Sequence, residues 1–458
     1  MLADTIAAIA TPLGEGGLAV IRLSGSAALS VADKSFRPVG KSSRKPSEAP
    51  THTLHYGKVV CDGRDVDEVM LAVLRAPRTF TREDVVEVTC HGGLLAAKLV
   101  LDAVLANGAR LAQPGEFTKR AFLNGRLDLV QAEAVADLIH ARTELALTAA
   151  NEQLAGRLSQ RINLLRDQMV ATLAHVEAHI DFPDEDIAPN TKEKLISRLA
   201  SGLAFMDELL RTADEGQILR RGVRAAIIGR PNAGKSSLLN QLLGHDRAIV
   251  SHIAGTTRDT IEETANIRGI PVVFVDTAGL REAGDVIEQE GIRRTRAMVA
   301  RAELVLHILD ASEPLAEEDE KFLEEFVGKK RILVRNKTDL PAKLVLPAVV
   351  AGNNPIASVS CATGDGLEAL KDAIKGIFWA GEIKAEMLQA MINSRHQDAL
   401  RRARAATENV IGALRDGLTL ELAALDLRIA VNAVGEIVGK TTTEDLLDSI
   451  FSQFCLGK

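Results

Sequence analysis

The sequence predicts a multidomain α/β plus α protein. An N-terminal α/β unit covers 1–120, a helical bundle is made of 121–216 and 381–458, and a Ras-like P-loop domain over 217–380 is inserted into that bundle. Three observations predict this. An apolar run, Val223 to Ile228, meets Gly229-Arg230-Pro231-Asn232-Ala233-Gly234-Lys235-Ser236-Ser237 and then a helical pattern, Leu238 to Leu243, with Gly244 as its stop. Helix-period patterns flank this segment, from Leu127 to Gly216 and from Met387 to Phe454. Short β-like runs broken by turn residues fill the N-terminal part.

Composition bounds the reading. A chain of 458 residues exceeds one ordinary core and implies about three domains. With 46% hydrophobic and 26% charged residues it has the balance of a soluble globular protein, and 3% aromatics means an aliphatic interior. A net charge of −7 does not advertise nucleic-acid binding, so any RNA contact must come from local basic patches or a partner. Cys61, Cys90, Cys361 and Cys455 form no C-x-x-C pair, which argues against a zinc site or a disulfide framework and fits a reducing cytoplasm. Asp4, Pro12 and Gly14 spoil a signal peptide, and no apolar run approaches the ~18 residues of a membrane helix.

In the first unit, Ile6 to Ala10, Leu18 to Leu23, Tyr56 to Val60, Val69 to Leu74 and Val85 to Val88 read as strands. The turn Gly14-Glu15-Gly16-Gly17 lacks G-x-G-x-x-G spacing and is a bend between strands. Arg37 to Thr51, rich in Pro, Ser and Lys, reads as an exposed loop, and Leu94 to Ala106 as a helix capped by Asn107-Gly108. In the helical unit, Leu158, Ile162, Leu165, Met169, Leu173, Val176 and Ile180 recur every three or four residues and form one core-facing stripe. Asp181-Phe182-Pro183-Asp184-Glu185-Asp186 closes that helix as a solvated acidic turn rather than a metal site, because nothing pairs its carboxylates.

The inserted domain carries the chemistry. Glycines let backbone N–H groups curl around a β-phosphate, Lys235 bridges the β- and γ-phosphates, and Ser236 is placed to ligate Mg²⁺. Downstream, Thr257 of Gly255-Thr256-Thr257-Arg258-Asp259 offers a second hydroxyl to Mg²⁺. In Asp276-Thr277-Ala278-Gly279, Asp276 can hold a Mg²⁺-bound water and Gly279 an N–H for the γ-phosphate. Asn336-Lys337-Thr338-Asp339 follows another apolar run. The Asp339 carboxylate can accept from guanine N1–H and N2–H₂, whereas adenine would leave it unpaired, so the expected ligand is GTP. Ser360-Cys361-Ala362 stands where a backbone N–H would meet the guanine O6.

With these motifs in hand, the whole chain resembles the MnmE (TrmE) family of tRNA-modification GTPases. Asp4-Thr5-Ile6, Gly16-Gly17, Arg22-Leu23-Ser24-Gly25 and Pro114-Gly115-Glu116-Phe117 to Arg120-Ala121-Phe122-Leu123-Asn124 look like that family's folate-binding domain, and Phe454-Cys455-Leu456-Gly457-Lys458 like its C-terminal tail. The resemblance implies a homodimer through the N-terminal domain and a heterotetramer with an FAD-dependent MnmG (GidA) type partner. Together these place an aminomethyl or carboxymethylaminomethyl group on C5 of the wobble uridine of certain tRNAs, using a tetrahydrofolate one-carbon unit. It also implies 5-formyl- or 5,10-methylene-tetrahydrofolate contacts at Arg22, Glu87, Arg126 and Lys458, where position 126 often holds Lys in the family.

Hydrolysis poses its own problem, because the position after Asp276-Thr277-Ala278-Gly279 is Leu280, which cannot orient water. The resemblance assigns that task to Glu288, groups Arg281 with it as catalytic, and replaces an arginine finger by K⁺. The ion would be held by Asn232, Ser251, Ile253 and Thr256, within a loop Ser251-His252-Ile253-Ala254-Gly255-Thr256 that closes on GTP. Cys455 is expected to serve the modification chemistry as nucleophile or acid/base, on a chain end free to enter a pocket. Two rivals stay open: a GTP-switched ribosome-assembly factor, told apart by ribosomal-subunit binding, and a folate-dependent aminomethyl transferase, which leaves the GTP pocket unexplained.

Overall fold

The computed structural model describes residues 4–40, 44–181, 189–246, 262–275, 288–346, 354–379 and 385–458. The first sheet holds β1 (Ile6–Ile9), β2 (Leu18–Ser24), β3 (Phe36–Pro38), β4 (Thr53–Cys61), β5 (Arg64–Leu74), β6 (Val85–His91) and β7 (Arg110–Leu111) in the order β3-β4-β5-β6-β2-β1-β7. All pairs are antiparallel except β1 with β7. In β2 the alternation Ala19, Ile21, Leu23 sends one face against helices Ala28–Ser35 and Leu94–Ala106. The other face keeps Arg22, opposite Glu87 of β6 in register. Part of the segment expected as loop from Arg37 onward is therefore strand, because β3 pairs with β4 through Phe36↔Val59.

Helix Glu116–Leu123 joins this sheet to the helical unit and runs across position 120, so the expected boundary falls inside a helix. The helical core packs helices Arg157–Asp181, Pro189–Arg211, Ser394–Asp416 and Leu420–Val438 around Leu158, Ile162, Leu165, Met169, Leu400, Val410 and Leu427. The sequence stripe is this core face, with Leu173 and Ile180 partly buried at its margin. Of the acidic turn, 182–188 lies outside the described residues.

The inserted unit has β8 (Val223–Ile228), β9 (Glu263–Ile267), β10 (Ile270–Phe274), β11 (Leu304–Asp310), β12 (Arg331–Asn336) and β13 (Ile356–Ser358), ordered β13-β12-β11-β8-β10-β9. Only the β9–β10 pair is antiparallel. The central stretch of β8 is apolar on both faces because both are covered: Ala225 and Ile227 face one core and Ala226 and Ile228 the other. Helix Lys235–Asp246 continues through Gly244, correcting the expected stop. A Cβ added there would meet nothing within 4 Å, so the glycine bears only a propensity cost of ~1 kcal/mol. No described helix is long and apolar enough to cross a membrane.

Candidate functional site

The loop after β8 and the loop after β12 lie at the carboxyl ends of parallel strands, where open α/β sheets bind ligands. The loop after β8 winds so tightly that Asn232 adopts φ +62°, and Gly234 (φ +101°) leaves no room for a side chain. A Cβ on Gly234 would stand 2.1 Å from Asn336 Nδ2. Lys235 Nζ donates to the carbonyls of Gly229 (2.8 Å) and Arg230 (2.7 Å), and burial holds its pKa below the usual lysine value. Ser236 and Ser237 follow in the first turn of helix Lys235–Asp246, whose N-terminus faces the loop.

Asn336 ties this frame together. Its Nδ2 donates to Ala233 O at 2.8 Å and its Oδ1 accepts from the Cys361 N–H at 3.2 Å. The Asp339 Oδ1 accepts from Ser360 Oγ at 2.6 Å, while Lys337 (φ +63°) pairs with Asp310 at 2.6 Å. The structure therefore brings together Asn232, Ala233, Gly234, Lys235, Asn336, Lys337, Asp339, Ser360 and Cys361, with Thr338 and Ala362 between them. Two contributors had no signal of their own in the sequence. Gln241 Nε2 donates to Cys361 O at 2.9 Å, and Asp310, buried at the end of β11, is fixed by the Ser312 N–H and Oγ as well as by Lys337.

Ser251 to Thr257, Asp276 to Gly279 and Arg281 lie outside the described residues. Glu288 is described only as the first residue of helix Glu288–Arg301.

A second constellation lies on the sheet face opposite helices Ala28–Ser35 and Leu94–Ala106. Arg22 Nε donates to Glu87 Oε1 at 2.8 Å, its guanidinium lies 5.8 Å from the Phe117 ring, and its Nη1 donates to Gly457 O at 3.3 Å. The tail is tied, in contrast to the free end expected from the sequence. Gly115 N–H donates to Cys455 O (3.4 Å) and Phe117 N–H to Lys458 O (3.2 Å), and Gly457 (φ +88°) lies so close to β1 that a Cβ would be 2.6 Å from Ile9 O. Lys458 is held below its usual pKa by burial and then by Arg22, with Glu87 and Cys455 opposing. Cys455 is exposed. Arg126 is not in direct contact with the other three. It donates to Thr79 O at 2.9 Å and stacks 5.5 Å from the Phe80 ring, which packs against the Phe117 cluster.

Comparison with known proteins extends over the whole chain. A family model described as GTP-binding protein TrmE N-terminus matches residues 5–126, and one described as MnmE helical domain matches 129–455. The chain is 49% identical to the tRNA modification GTPase MnmE of Geobacillus kaustophilus across 99% of both chains. It is 46% identical to that of Bacillus subtilis across 99% of this chain and all of that one. Among solved structures it is similar to the G domain of the Thermotoga maritima FeoB iron transporter, with 29% identity and a TM-score of 0.26, over 34% of this chain and 98% of that one. The paired family models and the end-to-end identity to curated relatives establish that the chain belongs to the MnmE family of tRNA modification GTPases.

Proposed function

We propose that this chain hydrolyses GTP in the service of tRNA modification. With an FAD-dependent MnmG (GidA) type partner, it adds an aminomethyl or carboxymethylaminomethyl group to C5 of the wobble uridine, taking the carbon from 5,10-methylene-tetrahydrofolate or a related folate. The observation that carries the GTP half is the Asn336 amide, which joins the phosphate loop at Ala233 to the base-reading stretch at Cys361. Lys235 exchanges two loop carbonyls for the phosphates, and Asp339, already oriented by Ser360, accepts from guanine.

Hydroxyl, amide and carbonyl oxygens of this kind suit the hard cations this chemistry calls for. Ser236 with Thr257 would hold Mg²⁺, and Asn232 with Ser251, Ile253 and Thr256 would hold K⁺; bound there, the cations supply charge where the transition state gathers it. Glu288 orients water in place of Leu280, with Arg281 beside it in sequence. Hydrolysis is therefore expected to run much faster in K⁺ than in Na⁺, and Glu288→Ala to keep GTP affinity while losing turnover. Equal rates in the two salts would count against this.

For the folate half, Glu87 suits the pterin ring donors, and Arg22, Arg126 and Lys458 suit the glutamate carboxylates. Arg22 and Glu87 sit side by side, half-buried, on the second face of the sheet with the tail against Arg22, which supports a site shaped partly by Cys455 and Lys458. The same reading includes a homodimer through the N-terminal domain and a cytoplasmic location. Wobble uridines of tRNA from cells lacking this chain, analysed by mass spectrometry, are expected to lose the modification. Full retention would overturn the reading.

A further inference from the structure

Arg230 lies within the phosphate loop, yet its side chain serves another element. Its Nε donates to Asp319 Oδ2 at 2.7 Å, and its Nη2 lies 3.2 Å from the exposed Glu313. Asp319, 2% exposed at the side chain, stands in the first turn of helix Glu317–Glu325, among Glu317, Glu318 and Glu320. Its Oδ1 has no hydrogen-bond partner. The ring facing it, His307 Nε2, is 4.0 Å away, and neither His307 nitrogen is bonded although the residue is wholly buried.

A carboxylate this buried carries a desolvation cost, which Arg230 offsets by charge and a hydrogen bond and the Ala316 backbone offsets in part. A helix N-terminus already stabilises negative charge, but its other three acids do so without burial in this cluster. The backbone of Arg230 is where the anchor meets the loop. Its carbonyl accepts both from Ala233 N–H at 3.3 Å and from Lys235 Nζ at 2.7 Å, the lysine that must swing to a phosphate.

We propose that Asp319 is a positioning residue for the nucleotide: through Arg230 it holds the phosphate loop in the form that receives the β-phosphate. The inference rests on the GTP-binding reading. It predicts that loosening the anchor leaves the loop to pay, on each binding event, for order that Asp319 supplies in advance.

The test uses the full chain in four forms: unchanged, Asp319→Asn, Arg230→Ala and the double variant. Each is titrated with fluorescent GDP and assayed for GTP turnover. Each single variant is expected to bind GDP about tenfold more weakly and to raise KM for GTP, with kcat within about twofold of the unchanged chain. The double variant should bind no more weakly than Arg230→Ala alone, because both substitutions remove one linkage. Unaltered GDP affinity in the single variants, or losses that add in the double, would overturn it. Should Asp319→Asn fail to fold, Arg230→Lys at the partly exposed partner reads the same linkage, because lysine keeps the charge and loses the Nε geometry. Absence of GDP binding in the unchanged chain would instead defeat the GTP-binding reading itself.

Discussion

Single groups would decide what the proposed nucleotide site accepts. In the proposed GTP site, Asp339 is held by one hydroxyl, Ser360 Oγ at 2.6 Å, and so would present a defined carboxylate edge to a base. Asp339→Asn reverses one half of that edge from acceptor to donor, so affinity should move from guanine to xanthine nucleotides, measured by competition between GDP and XDP; unchanged GDP affinity would refute the assignment. A second residue contributes to acid stability. His307 is wholly buried and its pKa is lowered from 6.5 to about 3, first by desolvation and then by Arg331, with Asp319 too far away to compensate. Because the folded state stays neutral where the unfolded chain takes up a proton, its contribution is complete above pH 6.5 and is lost as the pH falls toward 3. Relative to the unchanged chain, His307→Leu should therefore lessen the acid-side loss of stability by about 1.4 kcal/mol per pH unit within that window, read from denaturant midpoints. Parallel pH profiles for the two chains would dismiss the role.

Elements explain what was legible and what was not. β8 coincides with the apolar run Val223 to Ile228, because a parallel strand covered on both faces needs no polar alternation and the glycine loop marks its end. The stripe from Leu158 to Val176 was equally legible, since a helix in a bundle repeats its core face locally. Periodicity reports a face and not its partner, however. Nothing local shows that Arg22 meets Gly457, 435 positions away, or that Gln241 reaches Cys361 across 120. Helix Ala28–Ser35 leaves little local signal: it has only eight residues, with no side-chain cap to mark its start. The tail shows why such contacts matter. Gly457→Ala would put a Cβ 2.6 Å from Ile9 O at φ +88°, a strain on the order of 1–3 kcal/mol or more, enough to lift a short tail. Modification should then fail while GTP turnover persists, with the tail newly open to proteases. Cys455→Ser leaves the backbone contacts intact, so normal modification in that variant would remove the thiol from the chemistry.

At the scale of the whole molecule, the helical unit folds across an interruption, and the crossing points of the chain lie side by side. A Cβ on Gly216 would be 2.8 Å from Ile392 O, Thr212 Oγ1 donates to Ala390 O at 3.1 Å, and Gln217 Nε2 to Gln397 Oε1 at 3.3 Å. The core that unites the two halves, Leu158, Ile162 and Met169 against Leu400, Val410 and Leu427, takes no side chain from the inserted sheet. Glu133 adds a buried clamp between halves. Burial alone would raise its pKa, but His396 and Arg395, at 2.8 Å each, outweigh this and keep it ionised. The inserted unit meets its host through Arg142 to Thr264, Leu145 beside Gly269 and Arg221 to Glu303, and through a shared apolar contact made by Ala149, Leu219, Leu388 and Met391. A chain in which 222–384 is replaced by a flexible linker of about four residues should fold with its first sheet, its helical unit and its docked tail intact. Ala149, Leu219, Leu388 and Met391 now pack into the inserted unit's core, so their exposure lowers stability by about 1.5–3 kcal/mol for each larger side chain. Circular dichroism should show a cooperative melt at reduced temperature, retained binding of a folate analogue and no binding of GDP. A shortened chain with no cooperative transition would mean that the helical unit depends on its insert to fold.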